Sequence, residues 1–189
     1  MEGKLIICAA PSGSGKTTIV KYLRANEDLA LTFSVSATTR TPRPGEVDGK
    51  DYFFMTRDEF LAHREAGDFV EWQEVYQGSL YGTLKSQVDK QLAEGQNIIF
   101  DVDVEGAVNI KKLYGKRALS IFIQPPSLEE LRRRLEGRAT DPQDVIETRL
   151  QKARQELAYA DQFDEVIIND NLQVAQVEAE SLIEDFLDE

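Results

Sequence analysis

The 189-residue chain is long enough for one domain with a sizeable core and room for an insert. Its 41% apolar content excludes a disordered chain, and no apolar run approaches the ~18 residues of a membrane span. A formal net charge of −12, with no basic patch interleaved with aromatics, excludes the usual nucleic-acid binder. The acidity is local: Gln155–Glu189 holds eleven Asp/Glu and no Lys or Arg, leaving 23 of the 34 acidic residues against all 22 basic ones. A solvated helix face accounts for such a segment. The single cysteine, Cys8, rules out an internal disulfide and fits a reducing compartment as a buried thiol. Met1–Lys4 runs straight into the first strand with no room for a signal peptide, so a cytoplasmic location is expected.

Leu5–Ala9 is an apolar run that reads as a buried parallel strand, and Thr18–Leu23 is apolar at helical spacing. Between them lies Ala10-Pro11-Ser12-Gly13-Ser14-Gly15-Lys16-Thr17. Strand, tight loop and helix, with Gly-Lys-Thr at the helix start, is the context of a phosphate-binding loop (P-loop). Gly13 and Gly15 permit positive φ and close backbone approach, so successive N–H groups can wrap a polyphosphate. Lys16 would reach the β- and γ-phosphates and the Thr17 hydroxyl would sit on Mg²⁺, with Thr18 beside it at the helix start. Ala10 stands where the motif usually has Gly, at a cost only if that position needs φ > 0. The stretch therefore predicts a nucleoside triphosphate site at Ala10–Thr18, and taken alone it leaves ATPases, GTPases and small-molecule kinases open.

The first helix is expected to run to about Asn26, followed by a strand over Leu31–Ser36 and an irregular loop over Ala37–Glu46. Asp51–Phe54 reads as a short strand. Thr56 with Glu59 forms a capping-box signature opening a helix to Ala66, closed by Gly67. Phe69–Val75 alternates with period two; Gln77–Thr83 reads as a turn and a short extended piece, and Leu84–Glu94 as a helix. Residues 33–96 thus carry short strands and loops, an insert in a βα framework.

That framework resumes with a strand over Asn97–Asp103 ending in carboxylates, a helix over Val104–Tyr114 and a strand over Ala118–Ile123. Ser127 with Glu130 caps a helix to about Glu136, and Gly137–Thr140 breaks it. Asp141 caps a long helix to about Tyr159 with Pro142 at its first position. A strand over Glu165–Asn169 and a helix over Leu172–Leu187 close the chain. Alternation of this kind predicts an α/β fold, a parallel sheet core flanked by helices.

Several motifs, in order and spacing, resemble the guanylate kinase family, bacterial type. They are Ser36–Glu46, Gly49–Phe54, Glu71-Trp72, Tyr81-Gly82-Thr83, Asp101-Val102-Asp103 with Glu105-Gly106, and Arg134-Leu135 with Gly137-Arg138. The resemblance runs from the first strand to the final helix and tolerates Ala10. It implies a P-loop kinase core over 1–32 and 97–189, a short lid at about 135–149, and a GMP-binding insert over 33–96. By the same resemblance Ser36, Arg40, Arg43, Tyr52 and Tyr81 hold the GMP phosphate, which wants forked guanidinium donors and hydroxyls. Glu71 reads guanine by accepting from its ring N–H and amino group, a donor pair adenine lacks on that edge, and Thr83 gives the same edge a hydroxyl. Asp101 and Asp103 serve the acceptor or the metal. Arg134, Arg138 and Arg149 match the catalytic arginines, Arg132 and Arg133 read as solvated or salt-bridged, and Asn169 matches an adenine contact. Lone His63 is expected on the surface and Trp72 in the core.

The reaction implied is Mg²⁺-dependent transfer of the ATP γ-phosphoryl group to GMP or dGMP by a monomer or homodimer, with no nucleic-acid or membrane partner. Two alternatives stay open: a non-catalytic guanylate-kinase-like binding module, and a kinase for another nucleoside monophosphate.

Overall fold

The computed structural model describes residues 2–75, 78–137 and 142–189. Its contacts divide the chain into two units, one of Leu5–Leu31 with Ile99–Glu189, the other of the N-terminus to Lys4 with Thr32–Ile98.

The first unit is built on β1 (Leu5–Ala9), buried at every position, as expected of a central strand covered on both faces. It lies in a five-stranded sheet of order β2-β7-β1-β8-β9, with β2 at Leu31–Thr32, β7 at Asn97–Asp101, β8 at Ala118–Gln124 and β9 at Glu165–Ile168. β1 pairs parallel with β8, and β8 parallel with β9. Helix α1 (Lys16–Ala25) presents Ile19, Val20 and Leu23 to a core shared with Ile6, Ile121 and Ile167. The last helix, α7 (Leu172–Asp188), adds Ala175, Ala179 and Ile183 to the same core. The two small alanines allow close approach to α1. Helix α4 (Val104–Tyr114) packs on β1 and β8. A second cluster, Leu131, Leu135, Ile146, Leu150 and Ala153, joins α5 (Leu128–Gly137) to α6 (Gln143–Leu157).

The second unit holds a four-stranded sheet of order β4-β3-β6-β5. Its strands are β3 (Ala37–Thr38), β4 (Phe53–Phe54), β5 (Phe69–Val75) and β6 (Ser79–Leu84). Helix α2 (Arg57–Ala66) starts at a capping box in which Thr56 and Glu59 satisfy each other's backbone N–H groups, and ends at left-handed Gly67. Its Phe60 stacks on Phe69, centroids 4.4 Å apart, in a core with Ala37 and Leu80. Helix α3 (Lys85–Ala93) follows β6.

Four expectations are corrected. The ladder does not continue over Leu31–Ser36: β2 ends at Thr32, and the chain joins a different sheet at Ala37. The extended piece expected within Gln77–Thr83 is present but runs on to Leu84, as the six-residue strand β6 paired antiparallel with β5. Pro142 is the residue flanking α6 rather than its first residue, with extended φ −61°, ψ 158°. Trp72 is not core. It is 43% exposed on edge strand β5 just past a bulge, and the Arg64 guanidinium covers its ring at 5.1 Å. The Asp141 cap and the Gly137–Thr140 break beyond Gly137 lie outside the described residues.

Candidate active site

The P-loop leaves β1 and delivers the chain to the N-terminus of α1 through Gly13 and Gly15, both at φ 92°. A Cβ on Gly15 would stand 2.3 Å from the Asn169 amide nitrogen, so the loop needs glycine there for space as well as conformation. Ala10 needs no such freedom. Among the described residues Ala30 is the sole non-glycine at positive φ, and the Ala10 side chain joins the core. The first turn of α1 holds no acidic side chain, which leaves the positive end of its dipole for an anion. Thr17 and Thr18 are exposed there, as is Ser12 in the loop, while Pro11 and Ser14 are buried.

Lys16 Nζ lies 2.6 Å from Asp101 Oδ1 and donates to the Val102 carbonyl at 2.6 Å. Val102 is tied to β1 through its own N–H to the Cys8 carbonyl, so the end of β7 is fixed beside the loop. Asp103 is the N-cap of α4, accepting from Gly106 N–H at 2.7 Å. It also lines a cavity of 210 Å³ with Glu105, Lys152, Glu156 and Tyr159. Burial there raises the Glu156 carboxyl above its ordinary range, against the opposing pull of Lys152.

Asn169 is buried just past the end of β9 and donates its amide to the Ser14 carbonyl at 2.7 Å. Its side chain therefore holds the loop. Its carbonyl accepts from Arg134 Nη2 at 2.9 Å, and Arg134 Nε donates to Glu130 Oε1 at 2.8 Å. Glu130 also takes a fork from Arg133, and the two guanidiniums hold its carboxyl at about 2. Arg132 pairs with Glu147. Arg149 is half-buried on α6, and Arg138 lies outside the described residues.

In the second unit, Thr83 is buried on β6 and gives its hydroxyl to Glu71 Oε1 at 2.8 Å. The Arg40 guanidinium lies over the Tyr52 ring at 5.3 Å, with the Tyr52 and Tyr81 rings edge to face at 6.0 Å. Ser36 is half-buried and its carbonyl accepts from Phe53 N–H; Arg43 is exposed. His63 is half-buried, with Nδ1 2.8 Å from Asp68 Oδ2.

Sequence reasoning missed Glu46 as a partner of Arg40 and Glu130 as a partner of Arg134. The available signal was a carboxylate near an arginine in a punctuated loop, and another four residues before one on a helix.

A family model described as guanylate kinase matches residues 2–186. The chain belongs to the guanylate kinase family. The guanylate kinase of Bacteroides thetaiotaomicron is 57% identical over 187 residues, which cover 99% of this chain and 91% of that protein. That of Salinibacter ruber is 46% identical, covering 98% of each. The crystal structure of guanylate kinase from Anaplasma phagocytophilum aligns over 100% of this chain and 88% of that one, with a TM-score of 0.67 and 28% identity. As a guanylate kinase the chain is an ATP:GMP phosphotransferase, a nucleoside monophosphate kinase. No helix among the described residues is long and apolar enough to cross a membrane.

Proposed function

We propose that this guanylate kinase divides its work as follows. The core of residues 1–32 and 97–189 binds ATP through Ala10–Thr18, with Asn169 fixing the loop from behind. The insert of residues 33–96 binds GMP, and also dGMP. Ser36, Arg40, Arg43, Tyr52 and Tyr81 take the phosphate, and Glu71 with Thr83 takes the guanine edge. What carries the acceptor assignment is the Thr83–Glu71 hydrogen bond. It occupies one carboxylate oxygen and aims the group, a fit to guanine's adjacent N–H donors that adenine cannot match.

The attacking group is a phosphate oxygen, already ionised near neutral pH, so no general base is needed. Lys16, Arg134, Arg138 and Arg149 supply positive charge where the transferring phosphoryl group gathers negative charge. Lys16 leaves its pairing with Asp101 for the β- and γ-phosphates when ATP arrives, and Asp101 is then released to serve the acceptor or the metal beside Asp103. A lid at about 135–149 would exclude water, which otherwise competes as acceptor.

The donor set fits magnesium: a Thr17 hydroxyl at the helix start, the Asp101 carboxylate at the end of β7 and the Asp103 carboxylate at the N-cap of α4 are hard oxygen ligands, and this ion takes its other ligands from phosphate and water. When bound, magnesium would neutralise charge on the transferring phosphate. The enzyme acts on free nucleotides as a monomer or homodimer in the cytoplasm, without a nucleic-acid or membrane partner.

The test is a coupled assay of ADP release with MgATP and GMP, dGMP, AMP, UMP or CMP, run on the wild type and Glu71→Gln. Turnover confined to GMP and dGMP and largely lost in the variant is expected. Turnover of another acceptor at a similar rate would overturn the assignment of Glu71.

A further inference from the structure

The phosphate arm of the proposed GMP site contains an acidic residue, an unexpected neighbour for a dianion. Glu46 meets Arg40 fork to fork, Nη2 to Oε1 at 2.8 Å and Nη1 to Oε2 at 3.0 Å. The same Oε2 accepts from the Arg43 backbone N–H at 2.7 Å, closing the loop that carries both arginines. Arg40 Nη1 also donates to the Thr41 carbonyl at 2.8 Å, and the guanidinium is packed over the Tyr52 and Phe54 rings. Arg40 is thus fixed on one edge by a carboxylate and on one face by aromatics. Its side chain is only 16% exposed and that of Glu46 19%. Long side chains lose considerable rotamer freedom when they are held this way, and here the loss is met before any substrate binds.

Two physical effects of Glu46 oppose each other. Its negative charge repels an incoming phosphate. Its fork removes the freedom of Arg40, whose remaining N–H groups then need no ordering. We infer that the second effect wins, and that Glu46 is a positioning residue which presets Arg40 and the Arg40–Glu46 loop for the phosphate of the nucleoside monophosphate. Bidentate pairs carry geometric specificity beyond their charge, and the Arg43 N–H tie shapes the loop as well as the side chain. The Arg40 hydrogen bond and the Arg43 N–H both hold the Glu46 carboxyl below its ordinary range, so it stays ionised in any assay near neutral pH. This inference rests on the reading that Arg40 contacts the GMP phosphate.

The two effects predict opposite signs, which makes the test decisive. Binding of GMP and of guanosine is measured by calorimetry for the wild type, Glu46→Gln, Arg40→Ala and the double variant, alongside kcat at saturating GMP. Glu46→Gln is expected to weaken GMP binding about 5- to 10-fold, the scale of one net hydrogen bond, with guanosine binding and kcat little changed. In the Arg40→Ala background the same substitution should add nothing. GMP binding that is unchanged or tighter in Glu46→Gln overturns the inference, and so does equal weakening of guanosine. If Arg40→Ala itself leaves GMP binding intact, the phosphate-arm reading falls and the inference with it.

Discussion

Thr83 stands opposite Glu71 in the β5–β6 ladder, its Oγ1 2.8 Å from Glu71 Oε1, because of one slip in register. Phe69 pairs with Leu84, and unbroken antiparallel pairing from there would set Glu71 against Gly82, which has no side chain to offer. The irregularity between Phe69 and Glu71 shifts the partner by one residue and brings the hydroxyl to the carboxylate. Thr83→Val keeps the shape and removes the donor. It is expected to raise KM for GMP about 5-fold and to narrow the preference for GMP over AMP, with KM for ATP unchanged, in steady-state assays.

Lys16 is held by Asp101 and the Val102 carbonyl, all within one unit, whereas the guanine-reading pair lies in the other. Lys16→Met should therefore lower kcat by about 100-fold or more through lost charge neutralisation, and calorimetry should find GMP affinity unaltered. A parallel loss of GMP affinity would contradict the division of labour.

Gly15 and Asn169 form a tight pair behind the P-loop. Gly15→Ala combines a positive-φ cost of about 1 kcal/mol with a collision against the Asn169 amide, and should lower kcat/KM for ATP at least 10-fold. Asn169→Ala separates two roles for that side chain. If it fixes the loop, KM should rise equally with ATP and with GTP as phosphoryl donor; an effect limited to ATP would show a contact to adenine instead.

Burial pushes the Cys8 thiol from 9.0 up to about 12, with nearby Lys16 opposing and Asp101 assisting. The raised folded value means that the neutral thiol contributes stability in full below pH 9, and that this is lost between pH 9 and 12 as the unfolded chain ionises first. Denaturant midpoints of the wild type should thus fall faster than those of Cys8→Ala across that window. Iodoacetamide should leave Cys8 unmodified until the protein unfolds.

Legibility in the sequence followed the range of the interactions. The P-loop and the Thr56–Glu59 capping box were readable because every partner lies within a few residues. The five-stranded parallel sheet was readable from alternation of apolar runs with helical spacing. Trp72 was misread because period two says nothing about which strand lies at an edge, nor that a bulge lies upstream. The role of Asn169 depends on a bond to Ser14, 155 residues away, that spacing cannot encode. Resemblance supplied Glu71 and Thr83 as names; their pairing is a matter of register.

The Ser14 hydroxyl is buried in the P-loop with no hydrogen-bond partner among the described residues. A protein shaped by stability alone would carry alanine there, since an unsatisfied buried hydroxyl costs on the order of 1 kcal/mol or more. Serine there carries that cost, and a phosphate oxygen bound in the loop is the kind of acceptor that would offset it. Resistance to heat and appetite for nucleotide are thus set against each other at one atom, and selection for either should move the other in the opposite direction.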